Sequence, residues 1–246
     1  MFPTPICKTG STAYCEMKAK QIVRTIVDVG MLLALLCLMA YQVTGEALHE
    51  WIGIGMTGLL IAHHLLNIRW YKALFKGKDN AYRILSTVTN TLLLGCIALT
   101  AFCGMSMSSH AVPFLYGMAN TAFARTAHLA LAYWSFALMG FHLGLHLPAI
   151  TAKIKPNKAA KIVCTAAFTA AAGAGLWLFI RSGIPDYMLF RTHFAFFDYE
   201  KPSAVVFLEN LAIEFFFAFL GANAVRLIRS LSKKQRQKKQ SPTSVG

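Results

Sequence analysis

Charge is scarce in this 246-residue chain. Asp, Glu, Lys and Arg together make up 14% of it, against about 25% in an average soluble domain. The shortage is uneven, with 10 acidic residues against 24 basic ones. Combined with a hydrophobic fraction of 56%, it excludes an ordinary soluble domain and points to a chain built for the bilayer. Several signatures are absent. No G-x-G-x-x-G follows a strand-like run and no P-loop occurs, so no nucleotide-binding unit is expected. The ~10-residue alternating segments of a membrane barrel are missing as well. Cysteine offers no disulfide framework: Cys37, Cys96, Cys103 and Cys164 fall in apolar runs, and Cys7 and Cys15 lie before the first of them.

What the chain has is long apolar runs. Six reach or approach the roughly 20 residues that a helix needs to cross the hydrocarbon core: Thr25–Val43, Ala47–Ile68, Ile84–Met105, Thr126–Ile150, Ile162–Ile180 and Ala204–Val225. The first is longer than a signal-peptide core and has no small-x-small site after it, so it reads as a retained helix. The expected fold is an all-α membrane protein, a six-transmembrane-helix bundle over residues 25–225. A segment 1–24 precedes it and a basic tail 226–246 follows. Asp79–Asn80 and Pro156–Asn157 break the second and fourth connections. The fifth connection, Arg181–Pro202, is rich in aromatics with charges interleaved, which suggests a helix lying at the membrane interface.

The basic residues set an expected orientation. Of the 24, 20 fall before the first span, between the second and third, between the fourth and fifth, or after the sixth. The other side holds Arg125, Arg181, Arg191 and Lys201. The positive-inside rule then puts both termini in the cytoplasm, with the protein multi-pass in the cytoplasmic (inner) membrane. The tail RLIRSLSKKQRQKK (Arg226–Lys239) directly follows an apolar span. It reads as a helix end facing anionic lipid, and no nucleic-acid partner is expected.

Six of the eight histidines lie in the second and fourth spans: His49, His63 and His64 in one, His128, His142 and His146 in the other. Ligand-type side chains inside a membrane are costly and mark functional sites. His49 and His63 are 14 residues apart, and so are His128 and His142. Fourteen is two heptads, so both members of each pair keep one heading in a left-handed bundle, separated by roughly 21 Å of helix rise. The two spans run in the same direction, so His49 is expected to face His128 and His63 to face His142. Two stacked haems b, held between helices two and four by paired imidazoles, fit this pattern. The haems would be non-covalent, since no C-x-x-C-H motif is present. His64 is about 100° round the helix from His63, so His63 is the expected ligand. His146 lies one turn beyond His142 and is placed to serve a haem edge, a propionate or a quinone. Arg125 and Arg69 are candidates to pair with the outer and inner propionates. Glycines 53, 55, 58, 140 and 144 would allow close approach of a flat group or of a helix. Asp28, Glu209 and Glu214 are candidate proton carriers. The rival reading is a membrane transporter that uses its histidines as proton relay or metal ligands, which would call for helices broken at matching midplane positions.

The run TGEALHEWIGIGMTGLLIAHHLLNIRWYKALF (Thr44–Phe75) resembles the signature of the flavinylation-associated cytochrome domain, within the ferric-reductase-like membrane b-type cytochromes. RTAHLALAYWSFALMGFHLGLHLP (Arg125–Pro148) is similar to its second half, and FAFFDYEKP (Phe194–Pro202) to a motif of six-helix members. The resemblance covers about residues 20–225. It implies a bacterial membrane cytochrome that passes electrons from a quinol or a cytoplasmic donor to an extracytoplasmic acceptor, often a protein carrying covalent FMN. His49, His63, His128 and His142 are the matching ligand positions. The flavin-attachment motif D-G/A-x-S/T-G/S-A-T is not in this chain, so the flavin would belong to a partner.

Overall fold

A chain that enters lipid must satisfy its backbone N–H and C=O groups internally, and apolar runs of this length do so as helices. The computed structural model describes residues 9–74, 80–152 and 157–240. They form eight α-helices and, among the described residues, no strand. These are α1 (Thr9–Met39), α2 (Tyr41–Leu66), α3 (Ile68–Leu74), α4 (Ala81–Met105), α5 (Thr121–Thr151), α6 (Lys158–Arg181), α7 (Ile184–Met188) and α8 (Ser203–Gln240). The expected breaks at Asp79 and Pro156, and Cys7, lie outside the described residues.

Five helices are individually long and apolar enough to cross a membrane: α1, α4, α5, α6 and α8. The α2–α3 pair passes the same test as one unit, bent by 57°. Large apolar side chains stand outward along these helices, among them Ile26, Leu33, Leu92, Leu99, Ile162 and Trp177. In water so much exposed apolar surface would drive aggregation; in a bilayer it is the lipid-facing wall.

Asparagine starts three of the helices. The side chains of Asn80, Asn120 and Asn157 accept hydrogen bonds from first-turn amides of α4, α5 and α6, groups that have no partner within the helix. The break residues Asn80 and Asn157 are therefore helix caps. Between α1 and α2 the chain turns almost at once. Gly45, at φ 69°, interrupts the helix shortly after Tyr41, in the left-handed region that glycine enters without penalty. This reversal brings α2 back along α1.

The packing follows two groups. α2 lies chiefly against α1, while α5 is clasped by α4 and α8, and α8 also by α6. The backbones of α2 and α5 barely approach each other. α5 and α8 run parallel in close contact through glycine: a Cβ on Gly144 would meet the Ala218 carbonyl, and one on Gly221 the Phe141 carbonyl. Gly175 seats α6 on α8 in the same way. Gly140 and Gly144 therefore serve helix packing against α8. Gly55 and Gly58 of α2 have nothing within 4 Å.

The segment after α6 is not the interface helix that its composition suggested. Helix is confined to Ile184–Met188, and the chain from Arg191 to Pro202 is irregular. Phe190 takes φ 58°, unusual for a bulky residue, which ends the short helix. Tertiary bonds then replace helical ones: Phe196 N donates to the Tyr187 hydroxyl, and Trp134 Nε1 donates to the Met188 carbonyl. Helix α8 continues without a break from the apolar span into the basic tail.

Gly144→Ala should separate α5 from α8 and cost about 1–3 kcal/mol of stability, the usual range for overpacking. Gly173→Ala, in α6 with nothing within 4 Å of its Cβ position, should be neutral or stabilising by up to about 1 kcal/mol through helix propensity. Unfolding in mixed detergent micelles compares the two directly.

Candidate functional site

The histidines gather at two levels, and at the first the rings of α2 and α5 are in contact. At the first, His49 of α2 and His128 of α5 stand with ring centroids 6.1 Å apart and ring planes at 69°. The His128 ring is fixed from behind. Its Nδ1 donates to the Thr100 carbonyl of α4 at 2.9 Å, and Gly104, one turn on, leaves room for the ring. A carbonyl can only accept, so the proton sits on Nδ1 and Nε2 keeps its lone pair. The Nδ1 of His49 is buried and has no hydrogen-bond partner. Tyr41 meets the His49 ring edge-on at 5.1 Å and stacks on Phe197 at 5.2 Å. The irregular aromatic segment thus folds over the first level.

At the second level His63 and His142 share one electrostatic neighbourhood with His146 and Asp28. The arrangement is looser, and among the described residues no ring contact joins His63 to His142. Each ring is nevertheless anchored through Nδ1: His63 to the Asp28 carboxylate at 2.7 Å, His142 to Asn90 Oδ1 at 2.7 Å. Both partners accept, so both rings again leave Nε2 free. A histidine whose one nitrogen is tied to a carboxylate or carbonyl has its tautomer and orientation set for binding through the other. His146 packs against the His142 ring at 4.8 Å. His64 turns away and pairs with the Tyr71 hydroxyl at 2.6 Å. The order of meeting, His49 with His128 and His63 towards His142, shows that α2 and α5 run in the same direction.

The heptad midpoints between the levels are Met56 and Ser135. Both are buried, and the Ser135 hydroxyl has no hydrogen-bond partner. Met56 shares a core cluster with Phe136, Ile97 and Val27. The arginines do not close on the histidines. Arg125 is exposed three residues before His128, and Arg69 is exposed on α3 beyond the bend. Arg24 is the one held in place near the second level, its Nη2 donating to the Leu66 carbonyl at 2.7 Å.

Sequence reading missed the anchors Thr100 and Asn90, and saw in Asp28 only a possible proton carrier. A polar residue in the middle of an apolar run, as Asn90 is, was the signal available. It also missed Glu50, whose carboxylate accepts from the Ser108 hydroxyl and from the amides of Ser109, His110 and Ala111 at 2.7–3.0 Å. Glu46, Glu50 and His110 bring ligand-type atoms within 4.8 Å of one another. Because Glu50 is already saturated by four donors, the cluster works as a clasp that ties the α4–α5 connection to α2 beside the first level. A groove of about 340 Å³ lies elsewhere, between the start of α4 and α8, lined by Asn80, Tyr82, Arg229 and Lys233.

Glu50→Ala should leave three backbone amides of Ser109–Ala111 without partners, at about 1–3 kcal/mol for each that stays buried. Hydrogen–deuterium exchange should show those amides exchanging at least tenfold faster, while the middle of α4 is unchanged. Comparison with family models, with curated proteins and with solved structures gives no match for this chain.

Proposed function

We propose that this protein is a six-span membrane b-type cytochrome that carries electrons across the bilayer between two haem sites, His49–His128 and His63–His142. The carrying observation is the first level. Metal–imidazole nitrogen bonds run at about 2.0–2.1 Å; with ~1.1 Å more from nitrogen to ring centre, two imidazoles across one metal ion set their centroids roughly 6.3 Å apart. The observed separation is 6.1 Å. A bare edge-on imidazole contact would also give that distance. It would not account for the same 14-residue spacing in both helices, nor for the three rings held by Nδ1 with Nε2 free. Nor would it explain why α2 and α5 stay apart while their histidines meet.

Haem b, when bound, supplies a one-electron iron couple whose potential depends on axial ligands, burial and hydrogen bonding to those ligands. The chain contributes the rest. Thr100, Asn90 and Asp28 set ring orientation, and the Asp28 carboxylate makes His63 a more basic donor than His142, whose partner is a neutral amide. Tyr41 and Phe197 cover the first level. Met56, Phe136 and Ser135 are buried between the levels. The basic asymmetry puts the second level near the cytoplasm, where a quinol or partner would donate. The first level then faces the extracytoplasmic side, where an acceptor, in the resembled family often an FMN-carrying protein, would dock. Arg229 and Lys233 at the groove suit the anionic headgroups of the cytoplasmic leaflet. The transporter reading has no comparable support: the interruptions of α2 fall at Gly45 and Asn67, near its ends, and α5 is continuous.

A pyridine haemochrome assay should give two haems per chain, falling to one in His128→Ala and in His63→Ala, with His64→Ala retaining two. In vesicles reduced from the cytoplasmic side, His128→Ala should stop reduction of an impermeant outer acceptor while the second level still becomes reduced. Colourless, folded protein would refute the assignment. Labelling from outside should reach Ser182→Cys and spare Ser241→Cys; the reverse would invert the path.

A further inference from the structure

One buried ionisable group has no part in the histidine levels. Glu214 of α8 is 2% exposed, and neither of its carboxylate oxygens has a hydrogen-bond partner. It sits where α5 has no side chain: a Cβ on Gly140 would fall 2.5 Å from Glu214 Oε2. Gly140 therefore makes the hollow that the carboxyl fills. One turn earlier on the same face of α8, Asn210 has a buried amide nitrogen that also lacks a partner. A buried acceptor pair and a buried donor, adjacent and unmatched, are an uncommon combination in a packed interface.

Among the described residues, no hydrogen bond or ion pair to a charged group compensates it. On α8, Glu209 is bound to Lys201 at 2.8 Å. On the α8-facing side of α5 the ionisable residue is Tyr133, stacked on Tyr187 of α7. α6 presents no ionisable residue between Cys164 and Arg181. Asp28 and Arg24 of α1 are engaged by His63 and by the Leu66 carbonyl, and α4 brings Tyr82 to the groove beside Arg229. An isolated carboxylate in a low-dielectric interior costs far more than the neutral acid, so such groups hold a proton. Gly140 stands two residues, about 3 Å of rise, before His142. His142 projects from the opposite side of α5, so Glu214 lies at the depth of the second level with one helix between them.

We propose that Glu214, assisted by Asn210, is a proton-binding site in the membrane interior, separate from the histidines and electrostatically coupled to the second level. With haem bound at the second level, its oxidation would add positive charge there and favour the Glu214 carboxylate, which Asn210, one turn away, would support as an amide donor while the proton is released to solvent. Re-reduction would favour the neutral acid and the uptake of a proton from solvent. The coupling, though not the proton site, rests on the haem reading above.

Infrared spectroscopy of the purified full chain tests the site itself. A carboxylic-acid C=O band that shifts in D₂O should be present, should disappear in Glu214→Gln and should move in Asn210→Ala. A band that survives the Gln change, or that never exchanges with D₂O, overturns the proposal. Potentiometry tests the coupling: the midpoint potential of the second level should fall as pH rises, and should become flat in Glu214→Gln. An unchanged slope in that variant overturns the coupling. Chain lacking haem would defeat the electron-transfer reading, while the infrared band would still decide the proton site.

Discussion

The arrangement depends on one spacing used twice. Fourteen residues between histidines returns each side chain to the same heading, and α2 and α5 both use it while running in the same direction. A shift of one residue in either helix would rotate its second histidine by about 100° and bring only one level together. This constrains everything around the pair. α2 must reverse directly out of α1, which Gly45 permits. α5 must be held by α4 on the histidine side and by α8 on the other. The histidines occupy one face of α5 and the glycines Gly140 and Gly144 another, so the same helix presents polar anchors to α4 and a smooth surface to α8.

The spans were legible because lipid demands length and apolarity, and both are local properties of sequence. Each of the six apolar runs falls on a helix, but the ends differ: α1 starts at Thr9, well before Thr25, the first run's end at Val43 falls inside α2, and α8 continues to Gln240, well past Val225. In the second run Asn67 bends the chain, and the expected end at Ile68 falls in the next short helix. The candidate histidines were legible for a similar reason, since their spacing is a one-dimensional pattern. Their partners were not. Asp28 is 35 residues from His63, Asn90 is 52 from His142, and Thr100 is 28 from His128. Nothing in the sequence encodes which polar residue of a neighbouring helix arrives at which depth.

The aromatic segment after α6 shows a different limit. Its composition suits an interface helix, and Pro185 at a first-turn position suits a helix start. The helix nevertheless ends after one turn, because tertiary contacts outbid local propensity. Tyr187 stacks on Tyr133 and accepts from Phe196 N, and Phe197 is drawn onto Tyr41. These contacts exist only once α2, α5 and α7 are assembled. A segment whose conformation is set in this way can cover a site closely, as it does at His49.

The two levels differ in how they are finished, and the difference has a physical direction. The first is compact: rings 6.1 Å apart, a neutral carbonyl behind His128, and aromatic cover from Tyr41 and Phe197. The second is open, with Asp28 half-exposed behind His63, Arg24 one turn away and His146 against His142. Carboxylate bonding to an axial imidazole raises its basicity and stabilises the more positive state of a bound metal, so it lowers the potential of that level relative to a site backed by neutral carbonyls. If haem occupies both levels as proposed, the carbonyl-backed, well-covered first level would sit at the higher potential, and the gradient would favour electrons moving from the second level to the first. On the proposed reading the direction of transfer would be set less by the four imidazoles themselves than by what stands behind each of them.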